Sequence, residues 1–170
     1  MCSSDLPLKK QMKDFSTGMK AKVKVLSALS HKAALLILDE PTSGLDVEAR
    51  NEIVRTIRDY AASNRCTILI TSHISTDLEG LCDEFYLFSE GKIVLHESEE
   101  SIANHYGTVQ IPFELCESSE STRISGHKKE MFGYACVTND KEYFAQNHPE
   151  IKVKPATIDD LIILLGGTEE

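Results

Sequence analysis

An α/β fold with a parallel sheet at its core is predicted by three features of this chain. Residues 34–38 (ALLIL) and 66–71 (CTILIT) are continuous apolar runs of strand length. The stretch between them carries apolar residues at helical spacing. Strand, crossover helix and strand make a βαβ unit, and its right-handed connection leaves both strands pointing the same way.

The elements follow in order. Residues 1–12 are set apart as a non-native or truncated N-terminal segment, because Cys2 to Leu6 reads as translated adapter sequence. Ser16 is placed to cap a helix ending near His31, where Met19, Val23, Leu26 and Leu29 recur at helical spacing. Lys20, Lys22 and Lys24 lie among them and read as a solvated face. The run 34–38 reads as a strand covered on both faces. Asp46 caps a second helix to about Ala62, with Ala49, Ile53, Ile57 and Tyr60 as its buried stripe. The strand at 66–71 follows, then a short helix over Ser75 to Gly80. Phe85–Phe88 and Lys92–His96 form two strands joined at Glu90-Gly91. A helix is predicted over 97–106, with Ile102 and Tyr106 spaced by four. Beyond Gly107 come short mixed segments (VQIPFEL, YACVTN, IKVKP) around a polar loop at 117–130. A last helix spans Thr157 to Leu165, with Ile158, Leu161, Ile162 and Leu165 on one face.

Composition narrows the function. The 170 residues are 41% apolar and carry a formal net charge of -9, so no nucleic acid is expected as a partner. A nucleotide is still admissible, since a few local groups suffice to hold one. The five cysteines (Cys2, Cys66, Cys82, Cys116, Cys136) lack C-x-x-C spacing, which suits a reduced chain. No apolar run approaches the roughly 20 residues that span a bilayer.

The chemistry gathers at the carboxyl ends of the two strands, where open α/β sheets bind ligands. Residues 35–46 (LLILDEPTSGLD) deliver Asp39 and Glu40 to one such end. Ser72 and His73 wait at the other. Asp39 suits Mg²⁺, Glu40 suits polarisation of an attacking water, and His73 suits a hydrogen bond to a terminal phosphate. Pro41 stops the strand, and Gly44 permits turn geometry that other residues resist. Ser16, Thr17 and Gly18, at a helix N-terminus, suggest a second anion site. Taken singly, each has a plainer reading: Asp39 and Glu40 as turn carboxylates, Asp46 and Ser16 as caps, His73 as a surface histidine. Their joint order favours phosphoryl chemistry.

Together these residues resemble the ATP-binding cassette (ABC) ATPases. FSTGM (Phe15 to Met19) is similar to the signature motif, LLILDEP to Walker B, SGLD (Ser43 to Asp46) to the D-loop and TSH (Thr71 to His73) to the switch-histidine loop. Thr17 and Met19 stand where Gly and Gln are commonest, a variant seen in bacterial exporter cassettes with ABC-2-type membrane partners. The C-terminal PATIDDLIILLGG also resembles that group. No G-x-x-x-x-G-K-[ST] occurs in the 170 residues, so the chain resembles the C-terminal part of a cassette, starting just before the signature.

The resemblance implies a partial P-loop NTPase fold over 13–106 and an accessory C-terminal subdomain over 107–170. It implies an ATPase subunit of an exporter, with ATP and Mg²⁺ as cofactors and little activity in this piece alone. Glu40 and His73 would be catalytic and Asp39 the metal ligand. Ser16, Thr17 and Gly18 would face ATP held by a second cassette in a head-to-tail dimer, with Asp46 across that interface. Separate integral membrane permease subunits would hold the protein at the cytoplasmic face of the membrane. Strands absent from these residues would lie beside 34–38, so apolar strand surface is expected to be exposed here. Two other readings remain: a soluble cassette ATPase acting on ribosomes or DNA, and a non-catalytic remnant.

Overall fold

The computed structural model describes residues 11–113 and 122–166, and the chain divides into two compact units, 1–81 and 82–170. The sequence-predicted boundary after 106 falls inside the second unit. The physical reason is the C-terminal helix, which packs on the hairpin at 84–98. Ser89 Oγ donates to the Gly166 carbonyl at 3.1 Å as part of that contact. The segment set apart at 1–12 lies almost wholly outside the described residues.

The first unit contains α1 (Thr17–Ser30), β1 (Leu35–Asp39), α2 (Val47–Ser63) and β2 (Thr67–Thr71). Both helix starts are capped by the residues the sequence nominates. Ser16 Oγ accepts the Met19 N–H at 3.2 Å, and Asp46 Oδ1 accepts the Ala49 N–H at 2.9 Å. β1 and β2 pair in parallel, in unbroken register from Leu35 opposite Thr67 to Asp39 opposite Thr71. Leu36 and Leu38 bury against Val25 and Leu29 of α1 and Ile53 and Ile57 of α2.

Three expectations are corrected here. Strand β1 is not covered on both faces, in keeping with the exposed strand surface also expected there. Burial alternates along β1, and Leu35, Ile37 and Leu69 are more than half exposed. Both helices contribute to the one cluster over Leu36 and Leu38, which leaves the other face open. The buried stripe of α1 runs through Ala21, Val25, Ala28 and Leu29 rather than Met19, Val23 and Leu26. Small residues let α1 approach α2 closely; a Cβ on Gly18 would sit 3.1 Å from Ala49 Cβ. Finally, the helix predicted at 75–80 is a single 3₁₀ turn, Ser75–Asp77.

The second unit opens with the antiparallel hairpin β3 (Glu84–Ser89) and β4 (Lys92–Ser98). Glu90 and Gly91 both take positive φ (49° and 75°), as a two-residue primed turn requires. Ser98 caps α3 (Glu99–His105), which therefore starts two residues later than its predicted start at 97. A four-stranded antiparallel sheet follows: β5 (Gly107–Ile111), β6 (Ile124–Glu130), β7 (Gly133–Thr138) and β8 (Val153–Pro155), in order β6-β7-β5-β8. Helices α4 (Lys141–Asn147) and α5 (Ile158–Gly166) complete it.

The predicted polar loop at 117–130 is thus a strand from Ile124 onward; 117–121 lie outside the described residues. Pairing with β7 makes β6 a strand despite its polar sequence, and exposed Lys128 and Lys129 suit its place at the sheet edge. One face of the sheet packs Val109, Ile111 and Cys136 on Phe144 and Ile151. Helix α5 covers the opposite face with Leu161 and Leu164; of the stripe predicted for it, Leu161 is buried and Ile158, Ile162 and Leu165 are half-buried. Gly126 permits that approach, because a Cβ there would meet the Leu164 carbonyl oxygen at 2.2 Å. Cys66, Cys82 and Cys136 are in no disulfide, and no described helix is long and apolar enough to cross a membrane.

Candidate active site

Because β1 and β2 run parallel and in register, their carboxyl ends lie side by side. Asp39 is the last residue of β1, and Thr71, opposite it, the last of β2. The Thr71 hydroxyl donates to Asp39 Oδ1 at 2.5 Å, a short charge-assisted bond. Immediately after Asp39 the chain turns. Glu40 takes φ +46°, a left-handed conformation uncommon for a side chain of this size. Its N–H donates to the Thr71 carbonyl and to the Thr71 hydroxyl, each at 3.1 Å. The Ser43 N–H donates back to the Glu40 carbonyl at 3.2 Å, closing the turn.

The turn brings Glu40 to His73. His73 Nδ1 lies 2.7 Å from Glu40 Oε2. An ionised carboxylate only accepts, so Nδ1 carries the proton in this contact. A second N–H, at Nε2, then exists only in the imidazolium form. Asp39 and His73 are exposed and Glu40 is about one-third exposed, so the cluster opens to solvent. A groove beside it is lined by Thr17, Lys20, Lys24, Asp39, Glu40 and Ser43.

The remaining predicted residues gather elsewhere. Ser16, Thr17, Gly18 and Asp46 line a second hollow, with Lys22 and Glu52 forming an ion pair beside them. Of the predicted site residues, Thr17 alone lines both hollows. The side-chain oxygens of Ser16 and Asp46 are each engaged by their own helix N-terminus.

Sequence reasoning missed a buried link behind the site. Thr42 and Asp77 are almost fully buried, and the Thr42 hydroxyl donates to Asp77 Oδ2 at 2.6 Å. Arg50 Nε of α2 stands 3.8 Å from Asp77 Oδ1. This link ties the turn after Glu40 to the turn after His73. Sequence reasoning placed Thr71 in the TSH motif but missed its bond to Asp39, although parallel register alone would have set the two side by side. The lysines of α1 were read as solvated, yet Lys22 is largely covered and Lys20 and Lys24 line the groove.

Among known proteins, this chain has clear counterparts. The chain is 43% identical over 86 residues to the bacitracin transport ATP-binding protein of Bacillus licheniformis, covering 51% of this chain and 28% of that protein. It is 31% identical over 169 residues to the Nod factor export ATP-binding protein I of Burkholderia orbicola, covering 92% and 55%. The chain is similar over these stretches to ATP-binding subunits of ATP-binding cassette transporters. Residues 11–76 match the family model described as "AAA domain, putative AbiEii toxin, Type IV TA system". A solved structure titled "Structure of ATP binding subunit of ABC transporter" is 31% identical, with TM-score 0.46 over 53% of this chain and 37% of that one. The chain spans between 28% and 56% of the length of its most similar curated relatives.

Proposed function

We propose that the full-length protein is the ATP-hydrolysing subunit of an exporter, and that residues 16–73 supply parts of two ATP half-sites. The observation that carries this reading is the 2.7 Å contact of Glu40 with His73, at a strand end shared with Asp39. Relatives named for Nod factor export, bacitracin transport and linearmycin resistance support the exporter class. The S-T-G-M signature variant supports the group with ABC-2-type membrane partners.

The donor chemistry suits Mg²⁺. That ion takes one or two carboxylates with phosphate oxygens and water, and needs no all-protein cage. Asp39 offers such a carboxylate, with Oδ1 held by Thr71 and the strand end open to solvent. Among the described residues, no cluster of three or more His, Cys, Asp or Glu offers a competing metal site. Bound Mg-ATP supplies the phosphoryl group and its charge. Glu40 orients and polarises the attacking water. His73 holds Glu40 through Nδ1, and its other ring nitrogen would face a phosphate oxygen. Ser16, Thr17 and Gly18 present a hydroxyl and helix N-terminal amides to a second nucleotide. Asp46 lies in the same hollow, which fits a place at the interface of a head-to-tail dimer of cassettes. Separate permease subunits then hold the dimer at the cytoplasmic face of the membrane.

In the full-length protein, Glu40→Gln is expected to stop ATP turnover while ATP still drives dimerisation. Turnover assays with gel filtration in Mg-ATP read both. Unchanged hydrolysis in that variant removes Glu40 from the mechanism and the reading with it.

A further inference from the structure

We propose that Thr71 is a positioning residue, whose hydroxyl locks Asp39 and Glu40 into one arrangement. The inference rests on the reading of Asp39 and Glu40 above and adds a residue to it. A hydroxyl has one proton and two lone pairs. The Thr71 proton goes to Asp39 Oδ1 at 2.5 Å, and a lone pair takes the Glu40 N–H at 3.1 Å. Its rotor is therefore fixed from both sides. The bond to Asp39 leaves Oδ2 as the oxygen available to a cation. The bond from Glu40 holds the first residue of a left-handed turn.

That turn needs holding. A non-glycine residue at positive φ is strained, and such strain persists only where neighbours over-determine it. Glu40 is pinned by the carbonyl and the hydroxyl of one residue on the adjacent strand. If the hydroxyl goes, one of the two acceptors is lost, and the Glu40 carboxylate swings with its backbone. Parallel register makes the device possible, since only a residue directly opposite Asp39 reaches both groups. Valine matches threonine in shape and lacks the hydroxyl, so Thr71→Val removes the lock and little else. Serine restores it.

The test uses the full-length protein with Thr71→Val, Thr71→Ser and, as a control, Glu40→Gln. Outer-shell partners of metal ligands typically contribute about 10–100-fold. Thr71→Val is expected to lower kcat by that order with KM for Mg-ATP unchanged, and Thr71→Ser to recover most of it. A second readout needs no nucleotide: amide hydrogen exchange at Glu40 quickens in Thr71→Val and returns toward the parent rate in Thr71→Ser. Should Thr71→Val not fold, Thr71→Ala takes its place in both measurements. A normal kcat in Thr71→Val, with Glu40→Gln inactive, overturns the role of Thr71 and leaves the proposed active site standing. Full activity in both Thr71→Val and Glu40→Gln overturns the site as well. A serine variant as impaired as valine, or a loss confined to KM, also overturns the proposal, since the hydroxyl lock would then not be what matters.

Discussion

The β1–β2 pair and the four-stranded sheet solve the same problem in different ways. In the first unit, α1 and α2 seal one face of two strands, and Leu35, Ile37 and Leu69 stay open on the other. In the second unit, α4 covers one face of the sheet and α5 the other, so that Cys136, Val137 and Phe144 are completely buried. The half-covered pair carries the proposed site, at strand ends open to solvent. The sealed sheet carries stability. The contrast separates residues that act from residues that hold.

Substitutions sharpen that contrast, beginning with the largest effect expected. Phe144→Ala empties the core of the second unit. Loss of a buried aromatic of this size costs about 3–5 kcal/mol. Urea unfolding followed by residue-resolved hydrogen exchange should show the loss at 107–155, with amides of 17–71 little changed. A loss spread equally over both units would break the comparison.

Within the first unit, neighbouring residues on β1 should differ sharply. Leu38 faces the helices, and Leu38→Ala is expected to cost about 2–5 kcal/mol. Ile37 faces outward, and Ile37→Ala should fall within about 0.5 kcal/mol. Chemical denaturation of these 170 residues reads both. An Ile37 penalty as large as that of Leu38 would mean the outer face is covered.

A smaller change tests a cap. Asp46→Ala removes the acceptor for the Ala49 N–H and should cost about 1 kcal/mol, read as a shift in the unfolding midpoint of the first unit. If Asp46 also serves a dimer interface, ATP-driven association of the full-length protein falls by more than that shift explains.

The last effect is one of pH, and it belongs to the second unit. Burial, then the charges of Asp83 and Glu99, push the Cys82 thiol up to about 11 from 9.0. The folded state therefore favours the protonated thiol. Its contribution is whole below pH 9.0 and is lost as pH rises toward about 11. Tyr106 adds the same sign at higher pH. Burial and its hydrogen bond to Glu97 raise it to about 12 from 10.0. Unfolding midpoints measured from pH 8 upward should decline over that window, and Cys82→Ala should flatten the first part of the decline.

Much of the first unit was legible in the order of residues. Apolar runs of five and six residues marked both strands. Ser16 and Asp46 marked both helix starts, because a short oxygen-bearing side chain answers the free N–H groups beside it. The acidic pair and His73 were visible for the same local reason: they sit at or just past strand ends. The second unit was harder. Strand β6 (ISGHKKE) has no apolar alternation and is held by its partner strand. Helix α4 (KEYFAQN) is seven residues long, too short for periodicity to announce, and Phe144 anchors it from within.

The sequence by itself determined the two strands, the crossover helix between them, their caps and the acidic pair beside the histidine, since each rests on spacing within a few residues. Tertiary structure alone decided which faces were covered, that Thr71 holds Asp39 and Glu40 together, and that Thr42 reaches Asp77 across 35 positions of chain. Those outcomes depend on register and helix placement, and both are set by packing between segments distant in sequence.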